Sequence, residues 1–172
     1  HLDLKAGEVH ALMGENGAGK STLIKVLGGI YKRDGGEIVI NGEKVDINGV
    51  KDAEKYGISI IHQEIVLVPE MSIADNIYLG KELGPSGRID RATMRKTTQE
   101  LLDSFDMGLS ATDKISSLNI AQQQMIEIIR ATFSKAKIIV MDEPTSSLSD
   151  KEVDALFDTI RKLTAQGIGI IY

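Results

Sequence analysis

Residues 14–22 have the types and the spacing of a loop that binds phosphate. They match the pattern G-x-x-x-x-G-K-[ST] at every specified position. Glycines let the backbone wrap closely around an anion, and the N–H groups of the loop and of a following helix then point at phosphate oxygens. We expect Lys20 to reach the β- and γ-phosphates of a nucleotide and the Ser21 hydroxyl to ligate Mg²⁺. The predicted nucleotide-binding residues are consecutive: Gly14, Glu15, Asn16, Gly17, Ala18, Gly19, Lys20, Ser21 and Thr22.

The sequence on either side of this loop supports the interpretation. Val9–Met13 is predicted to be a short strand, and Ser21–Leu27 begins a helix with its apolar residues on one face. Strand, glycine-rich loop and helix, in this order, form the context in which the pattern binds phosphate. The alternative is a glycine-rich turn that matches by accident, which average composition allows in about one chain in a hundred of this length.

Two acidic residues follow an apolar strand near the end of the chain. Lys137–Met141 is predicted to be a buried strand that leads directly into Asp142 and Glu143. Ligands of open parallel sheets lie at the carboxyl ends of the strands, which is where these acids are placed. Asp142 is a candidate ligand of Mg²⁺, and Glu143 is a candidate base for an attacking water. The alternative is a solvated acidic turn. The absence of an Asn-Lys-x-Asp tetrapeptide argues against a GTPase.

Strand and helix signals alternate in residues 1–62 and 137–172, whereas residues 72–134 are predicted to be helical throughout. The pattern indicates an α/β core with a helical insertion, and hence two subdomains. The predicted strands are Val9–Met13, Ile58–Ile61, Lys137–Met141 and Ile168–Tyr172, with a hairpin over Glu37–Val45 that turns at Asn41-Gly42. The predicted helix caps are Ser72, Asp90, Asn119 and Ser149.

Composition narrows the possible functions. A formal net charge of −5 without a basic stripe argues against a general binder of nucleic acid or anionic membranes. The chain has no cysteine, which excludes disulfides and thiolate chemistry. Its 172 residues suffice for one domain. Because it starts in strand-like sequence at His1–Leu4 and stops within a predicted strand, we expect a domain truncated at both ends.

Four motifs in a fixed order give the chain a specific resemblance. It resembles the nucleotide-binding domain of ABC transporter ATPases and, more narrowly, the first ATPase half of the tandem ATP-binding subunits of bacterial monosaccharide importers. The resemblance implies an ABC-type phosphate-loop NTPase fold with a mostly parallel core sheet, flanking helices, an antiparallel β portion and an inserted helical subdomain. It implies one domain, with its core in residues 1–64 and 135–172 and its helical subdomain in about 65–134. The motifs are Leu12–Thr22, Ile61–Glu64, Leu118–Met125 and Val140–Leu148.

The resemblance also assigns roles to individual residues. It implies that Gln63 reaches Mg²⁺ and the attacking water, and that it couples the nucleotide state to a membrane partner. The family's Leu-Ser-Gly-Gly-Gln signature reads Leu-Asn-Ile-Ala-Gln in residues 118–122 and is expected to contact ATP held on an opposing domain. Ser149 stands in place of an aspartate that communicates across the dimer, or it only caps the next helix. The implied catalytic residues are Glu143, Lys20 and Gln63, the Mg²⁺ ligands Ser21, Gln63 and Asp142, and the further nucleotide contacts Asn119, Ala121 and Gln122.

The implied function is a Mg²⁺-dependent ATPase that binds ATP and energises the import of a small solute, a monosaccharide. The implied partners are a second ATPase domain in a head-to-tail sandwich, transmembrane permease subunits and, indirectly, a solute-binding protein, with no nucleic acid. The protein would then lie at the cytoplasmic face of the membrane, held by the permease, with residues 65–134 as its docking face. The alternatives are a non-transport ABC-type ATPase and a regulatory ATP-binding module without turnover.

Two residues that the resemblance implies have no counterpart in the chain. The aromatic residue that stacks on adenine would precede the first strand, and the switch histidine would follow the last one. His1, His10 and His62 do not match the position of that histidine. We therefore expect the chain alone to bind ATP weakly and to hydrolyse it poorly.

Overall fold

A computed structural model describes residues 1–15, 17–85, 88–142, 144 and 148–172. A four-stranded sheet and a two-stranded hairpin are surrounded by helices. In chain order the elements are β1 (Val9–His10), α1 (Lys20–Leu27), β2 (Ile38–Ile40), β3 (Glu43–Val45), α2 (Val50–Lys55), β4 (Ile58–Ile61), α3 (Ile73–Ile77), α4 (Arg91–Ser104), a 3₁₀ turn (Ile115–Ser117), α5 (Ile120–Phe133), β5 (Ile138–Met141), α6 (Asp150–Ala165) and β6 (Gly169–Ile171).

The larger sheet is parallel throughout its described strands, in the order β1-β6-β5-β4. Ile170 of β6 is in register with Val9 on one side and with Ile139 on the other. Parallel strands place all their carboxyl ends at one edge of a sheet. The segments that follow β1, β4 and β5 therefore leave the sheet at the same edge.

Helices cover both faces of this sheet, as the alternation of side chains along each strand requires. In β5, Ile139 belongs to a large apolar cluster that includes Leu102, Ile126 and Leu163. The next residue, Val140, belongs to a second cluster on the opposite face, with α1, α2 and the hairpin. The predicted α/β core with a mostly parallel sheet is confirmed. The large cluster joins helices of residues 65–134 to the sheet, so the two predicted subdomains share one apolar core.

The smaller sheet is the predicted antiparallel hairpin. Ile38 is in register with Val45, and Ile40 with Glu43. Asn41 and Gly42 connect the strands with φ angles of 53° and 83°. Positive φ at both central residues is what a tight type I′ turn requires, and the Asn-Gly pair adopts it at little cost. The turn chemistry therefore fixes the register of this pair.

Two strand predictions were wrong in extent. His1–Leu4 forms no strand; instead Leu2 and Leu4 pack against the smaller apolar cluster. β1 covers only Val9–His10 of the predicted Val9–Met13, although the Leu12 N–H still donates to the Tyr172 carbonyl at 2.7 Å. The chain thus stays beside β6 as it enters the glycine-rich loop.

The prediction that residues 72–134 are helical throughout is wrong. Non-helical stretches at residues 78–90 and 105–119 separate α3, α4 and α5, apart from the 3₁₀ turn. The predicted caps are present: the Ser72 hydroxyl accepts from the Asp75 N–H at 3.1 Å, and the Asp90 carboxylate accepts from the Thr93 N–H at 3.0 Å. Among the described helices, none is long and apolar enough to cross a bilayer.

Leu163 tests the packing of α6 on the sheet. Its side chain is completely buried in the larger cluster. Truncation in a packed core removes apolar burial and leaves a cavity, so Leu163→Ala should lower the free energy of unfolding by about 3 kcal/mol in urea denaturation. Leu79 is 48% exposed, and Leu79→Ala should cost about 1 kcal/mol or less. Equal losses in the two variants would contradict the described packing.

Candidate functional site

The glycine-rich loop follows β1 and ends in the first turn of α1. Gly17 and Gly19 have φ angles of 86° and 93°, a region that L side chains rarely adopt. Gly19 is also the N-cap of α1, and its backbone adopts the left-handed conformation. The described loop residues 14, 15 and 17–19 are exposed. The glycines thus give an open loop that leads directly into a helix N-terminus.

Lys20 closes this loop with its side chain. The Nζ atom donates to the Gly14 carbonyl at 2.5 Å and to the Glu15 carbonyl at 3.2 Å. The Ala18 N–H donates to the same Glu15 carbonyl at 3.1 Å, which tightens the turn. A full positive charge therefore lies within the loop, next to the partial positive charge of the α1 N-terminus. Both charges favour an anion at this place.

Asp142 leaves the sheet beside the same region. Its N–H donates to the Ile61 carbonyl at 3.0 Å, so the end of β5 stays paired with the end of β4. Asp142 and Lys20 line one cleft of about 380 Å³. The other described lining residues are Ala11, Leu12, Met13, Ile24, Met141, Pro144, Ile171 and Tyr172. Asp142, just after β5, and Lys20, at the start of α1, thus line one space.

Five other predicted positions have different outcomes. Gln63 is exposed and follows β4 by two residues, at the same edge of the sheet, but it does not line the Lys20–Asp142 cleft. Its strand is separated from β1 by both β5 and β6. Asn16 and Glu143 lie outside the residues that the structure describes. Ser21 and Thr22 are exposed in the first turn of α1.

The predicted signature segment starts α5 with a complete capping box. The Asn119 side-chain oxygen accepts from the Gln122 N–H at 2.8 Å, and the Gln122 side chain accepts from the Asn119 N–H at 3.0 Å. Together with Ala121 they line a groove of about 580 Å³ between α5, α6 and the end of α4. This groove shares no described lining residue with the Lys20–Asp142 cleft. Within one chain, the signature segment is therefore separate from the phosphate-binding loop.

Ser149 acts as a helix cap. Its N–H and its hydroxyl donate to the Glu152 carboxylate at 2.9 and 2.7 Å. These two hydrogen bonds hold the pKa of the Glu152 carboxyl below its ordinary value. The predicted helix cap at Ser149 is thus present, while its role between domains stays a prediction.

Glu127 is a buried acid that the sequence reasoning missed. It lies on α5, is 4% exposed, and accepts from the Val66 N–H with Oε1 at 2.7 Å. Arg130 lies 3.6 Å from the same oxygen, whereas Oε2 has no hydrogen-bond partner among the described residues. Burial raises the pKa of this carboxyl, against the effect of its neighbours. Only its position among the apolar residues of α5 could have indicated burial.

Comparison with known proteins gives the family of this fold and site. A family model described as ABC transporter matches residues 1–146. The chain belongs to the ABC transporter family, as an ATP-binding domain of that fold.

The curated proteins that resemble this chain are named as ATP-binding proteins of sugar import. The chain is 47% identical over 174 residues to a putative ribose/galactose/methyl galactoside import ATP-binding protein of Albidiferax ferrireducens, covering 100% of this chain and 34% of that protein. It is 53% identical over 173 residues to a galactose/methyl galactoside import ATP-binding protein of Photobacterium profundum, covering 99% of this chain and 35% of the relative. The chain thus spans about a third of the length of these curated relatives.

Solved structures agree with this family assignment. An ATP-binding cassette of an ABC transporter in its ADP conformation aligns with a TM-score of 0.85 at 25% identity, over 99% of this chain and 71% of that one. A dimeric ATP-binding cassette in a post-hydrolysis state, bound to ADP and Pi, aligns with a TM-score of 0.77 at 27% identity, over 99% and 75% of the two chains. The predicted ABC ATPase fold is confirmed.

The raised pKa of Glu127 predicts a pH dependence of stability. Its carboxyl holds a proton more tightly in the folded protein than in the unfolded chain. The free energy of unfolding should therefore fall as the pH rises from the ordinary value of 4.5 through the raised folded value. Arg130 and His62 oppose the shift without reversing it. In Glu127→Gln this fall should be absent from urea denaturation curves measured across that range.

The exposed acid of α4, Glu100, offers a matched control. Glu100→Gln leaves Glu127 and its contacts in place, so the fall in the free energy of unfolding should persist in that variant. A wild-type pH dependence in Glu127→Gln would contradict the assignment of the effect to Glu127.

Proposed function

We propose that this chain is the ATP-binding and ATP-hydrolysing part of a subunit that energises import of a monosaccharide through a membrane ABC transporter. The observation that carries the proposal is the cleft shared by Lys20 and Asp142 at the carboxyl edge of the parallel sheet. The names of the sugar-import relatives support the solute class.

The loop supplies the phosphate site. Its glycines leave room for the polyphosphate, and Lys20 already holds its ammonium within the loop. On ATP binding, this ammonium would exchange the Gly14 and Glu15 carbonyls for β- and γ-phosphate oxygens. The N-terminus of α1 would add backbone donors and the positive end of the helix dipole.

The residues at the site fit Mg²⁺. The ion takes oxygen ligands, and the half-buried Asp142 offers a carboxylate to the cleft that Lys20 lines. Ser21 would contribute its hydroxyl from the first turn of α1, and Gln63 its side-chain oxygen from the end of β4. Mg²⁺ would neutralise charge on the phosphate oxygens. Because Gln63 does not line the cleft, its loop must move toward Asp142 to contribute.

Glu143 follows Asp142 directly and is the proposed base. It would hold a water in line with the γ-phosphorus of ATP and accept its proton. The water oxygen bonds to that phosphorus as the bond to the β-phosphate oxygen breaks, which leaves ADP and inorganic phosphate. Lys20 and the loop amides would stabilise the negative charge that develops on the phosphate oxygens.

A second ATPase domain is the proposed partner of the groove at Asn119. The first turn of α5 is exposed there, with Ile120 54% accessible. A helix N-terminus capped in this way still favours an anion, so Asn119, Ala121 and Gln122 would close on ATP held by the opposing domain. The similarity to a dimeric cassette bound to ADP and Pi supports this arrangement.

The permease is the proposed partner of the groove beside β4, α2 and α5. Exposed apolar residues surround this groove: Ile30, Val50, Val66 and Leu79. Apolar rims of this kind mark interaction sites. We propose that the domain docks there on the cytoplasmic face of the membrane, and that a solute-binding protein delivers the sugar from the other side. With a net charge of −5, nucleic acid is not a proposed partner.

Lys20→Ala tests the phosphate site. It removes the ammonium from the loop and should lower ATPase activity of the full-length protein by about a hundredfold or more in a phosphate-release assay. Lys96 is an exposed lysine of α4, and Lys96→Ala should retain full activity. Undiminished hydrolysis in Lys20→Ala would remove the loop from the mechanism.

Glu143→Gln tests the base. The amide retains the size of the side chain but cannot accept the proton, so the full-length variant should bind ATP normally and lose turnover by about a hundredfold or more. Equilibrium binding of a fluorescent ATP analogue and phosphate release separate the two effects. Turnover close to that of the control Glu100→Gln would assign the base to another residue.

A further inference from the structure

The segment that follows Gln63 has no regular secondary structure. Residues 62–71 form neither helix nor strand, so their backbone groups need other partners. Two buried side chains supply them. Asn76 of α3 accepts from the Val68 N–H at 2.7 Å and donates to the Val68 carbonyl at 3.1 Å. Glu127 and Arg130 of α5 hold Val66.

Val66 is held at both of its backbone polar groups by one helix. Its N–H donates to Glu127 Oε1 at 2.7 Å, and its carbonyl accepts from Arg130 Nη1 at 3.2 Å. Glu127 and Arg130 are one turn apart and form an ion pair at 3.6 Å. The Val66 side chain itself is 59% exposed, so Val66 is attached to α5 through these polar contacts, while the next residue, Leu67, is buried in the large apolar cluster.

A carboxylate in this position is costly for stability. Glu127 is almost fully buried, and its second oxygen has no partner in the described part of the chain. Apolar residues of similar size usually serve better where only stability is needed. The other buried residues of α5 are isoleucine, methionine, alanine and one glutamine, Gln124, so Glu127 is the one acid on the buried side of this helix.

The contact between Val66 and α5 connects two parts of the proposed site. Val66 is three residues after Gln63, and α5 begins at the Asn119 cap. We infer that Glu127 and Arg130 are positioning residues that attach the Gln63 segment to α5, so that Gln63 and the Asn119 end move together. This inference rests on the proposed ATPase function. It adds two residues that touch neither phosphate nor water.

Three variants separate this role from a general loss of stability. Glu127→Leu removes the acceptor for the Val66 N–H, whereas Glu127→Gln keeps an oxygen at the same reach. Arg130→Met removes the donor to the Val66 carbonyl. Because the Arg130 side chain is partly exposed, this variant provides the test if Glu127→Leu does not fold. Leu163→Ala is the control for stability, since Leu163 lies on α6 and makes none of the hydrogen bonds that hold Val66.

The first readout needs no nucleotide. Hydrogen–deuterium exchange of a peptide covering residues 62–68 should be about tenfold faster in Glu127→Leu and in Arg130→Met, because the Val66 attachment is opened. Glu127→Gln and Leu163→Ala should exchange this peptide at nearly the wild-type rate. Wild-type exchange in both Glu127→Leu and Arg130→Met would overturn the inference.

The second readout is steady-state ATPase activity of the full-length protein. Glu127→Leu and Arg130→Met should lower kcat about tenfold and leave KM for ATP within about threefold, since the phosphate loop is unchanged. The double variant should be no slower than the slower single one, because both changes release one peptide group. Glu127→Gln should keep kcat within about threefold of wild type.

The outcomes distinguish this inference from the proposed function. An equal loss of kcat in Leu163→Ala, or a Glu127→Gln variant as slow as Glu127→Leu, would overturn the positioning role. Absence of ATPase activity in the unmodified protein would instead overturn the proposed function. In that event the exchange measurement still decides whether Glu127 and Arg130 hold the segment.

Discussion

Backbone hydrogen bonds between parallel strands place the ends of β1, β4 and β5 at one edge of the sheet, and the candidate site depends on that alignment. The order β1-β6-β5-β4 separates the phosphate-binding loop from Asp142 by one intervening strand, β6. Lys20 and Asp142 nevertheless line one cleft, because Asp142 directly follows β5 and Lys20 begins α1 at the end of the loop that leaves β1. Lys20 and Asp142 are 122 positions apart along the chain and meet only through this pairing, so core packing on both faces of the sheet also maintains the geometry of the cleft.

The segments leaving the sheet have few hydrogen bonds of regular structure, and side chains supply the missing ones. In the glycine-rich loop, a lysine fills the interior and binds two carbonyls. After β4, Asn76 and Glu127 bind backbone groups from buried positions. Both solutions give the backbone of these segments hydrogen-bond partners where no helix or strand supplies them.

Sequence reasoning was most successful where a residue type has a local consequence. The Asn41-Gly42 turn, the caps at Ser72, Asp90 and Asn119, and the glycine-rich loop each follow from local backbone chemistry, and all are present. The errors concern features of the structure that depend on tertiary contacts.

His1–Leu4 alternates like a strand but finds no strand partner. An acid such as Glu127 suggests the exposed side of a helix, and apart from its apolar neighbours in α5 only the fold shows that it is buried. The position of Gln63 outside the Lys20–Asp142 cleft likewise depends on strand order, which no local pattern contains.

The length of α5 gives its attachment to Val66 a mechanical consequence. Eight residues separate Asn119 from Glu127, which corresponds to about 12 Å along a helix that rises 1.5 Å per residue. If α5 tilts by about 5° around the Glu127 contact, its Asn119 end is displaced by about 1 Å, by the same geometry. A displacement of that size is enough to make or break a hydrogen bond. In the proposed arrangement, α5 would act as a lever arm whose pivot is the Val66 peptide group, three residues beyond Gln63.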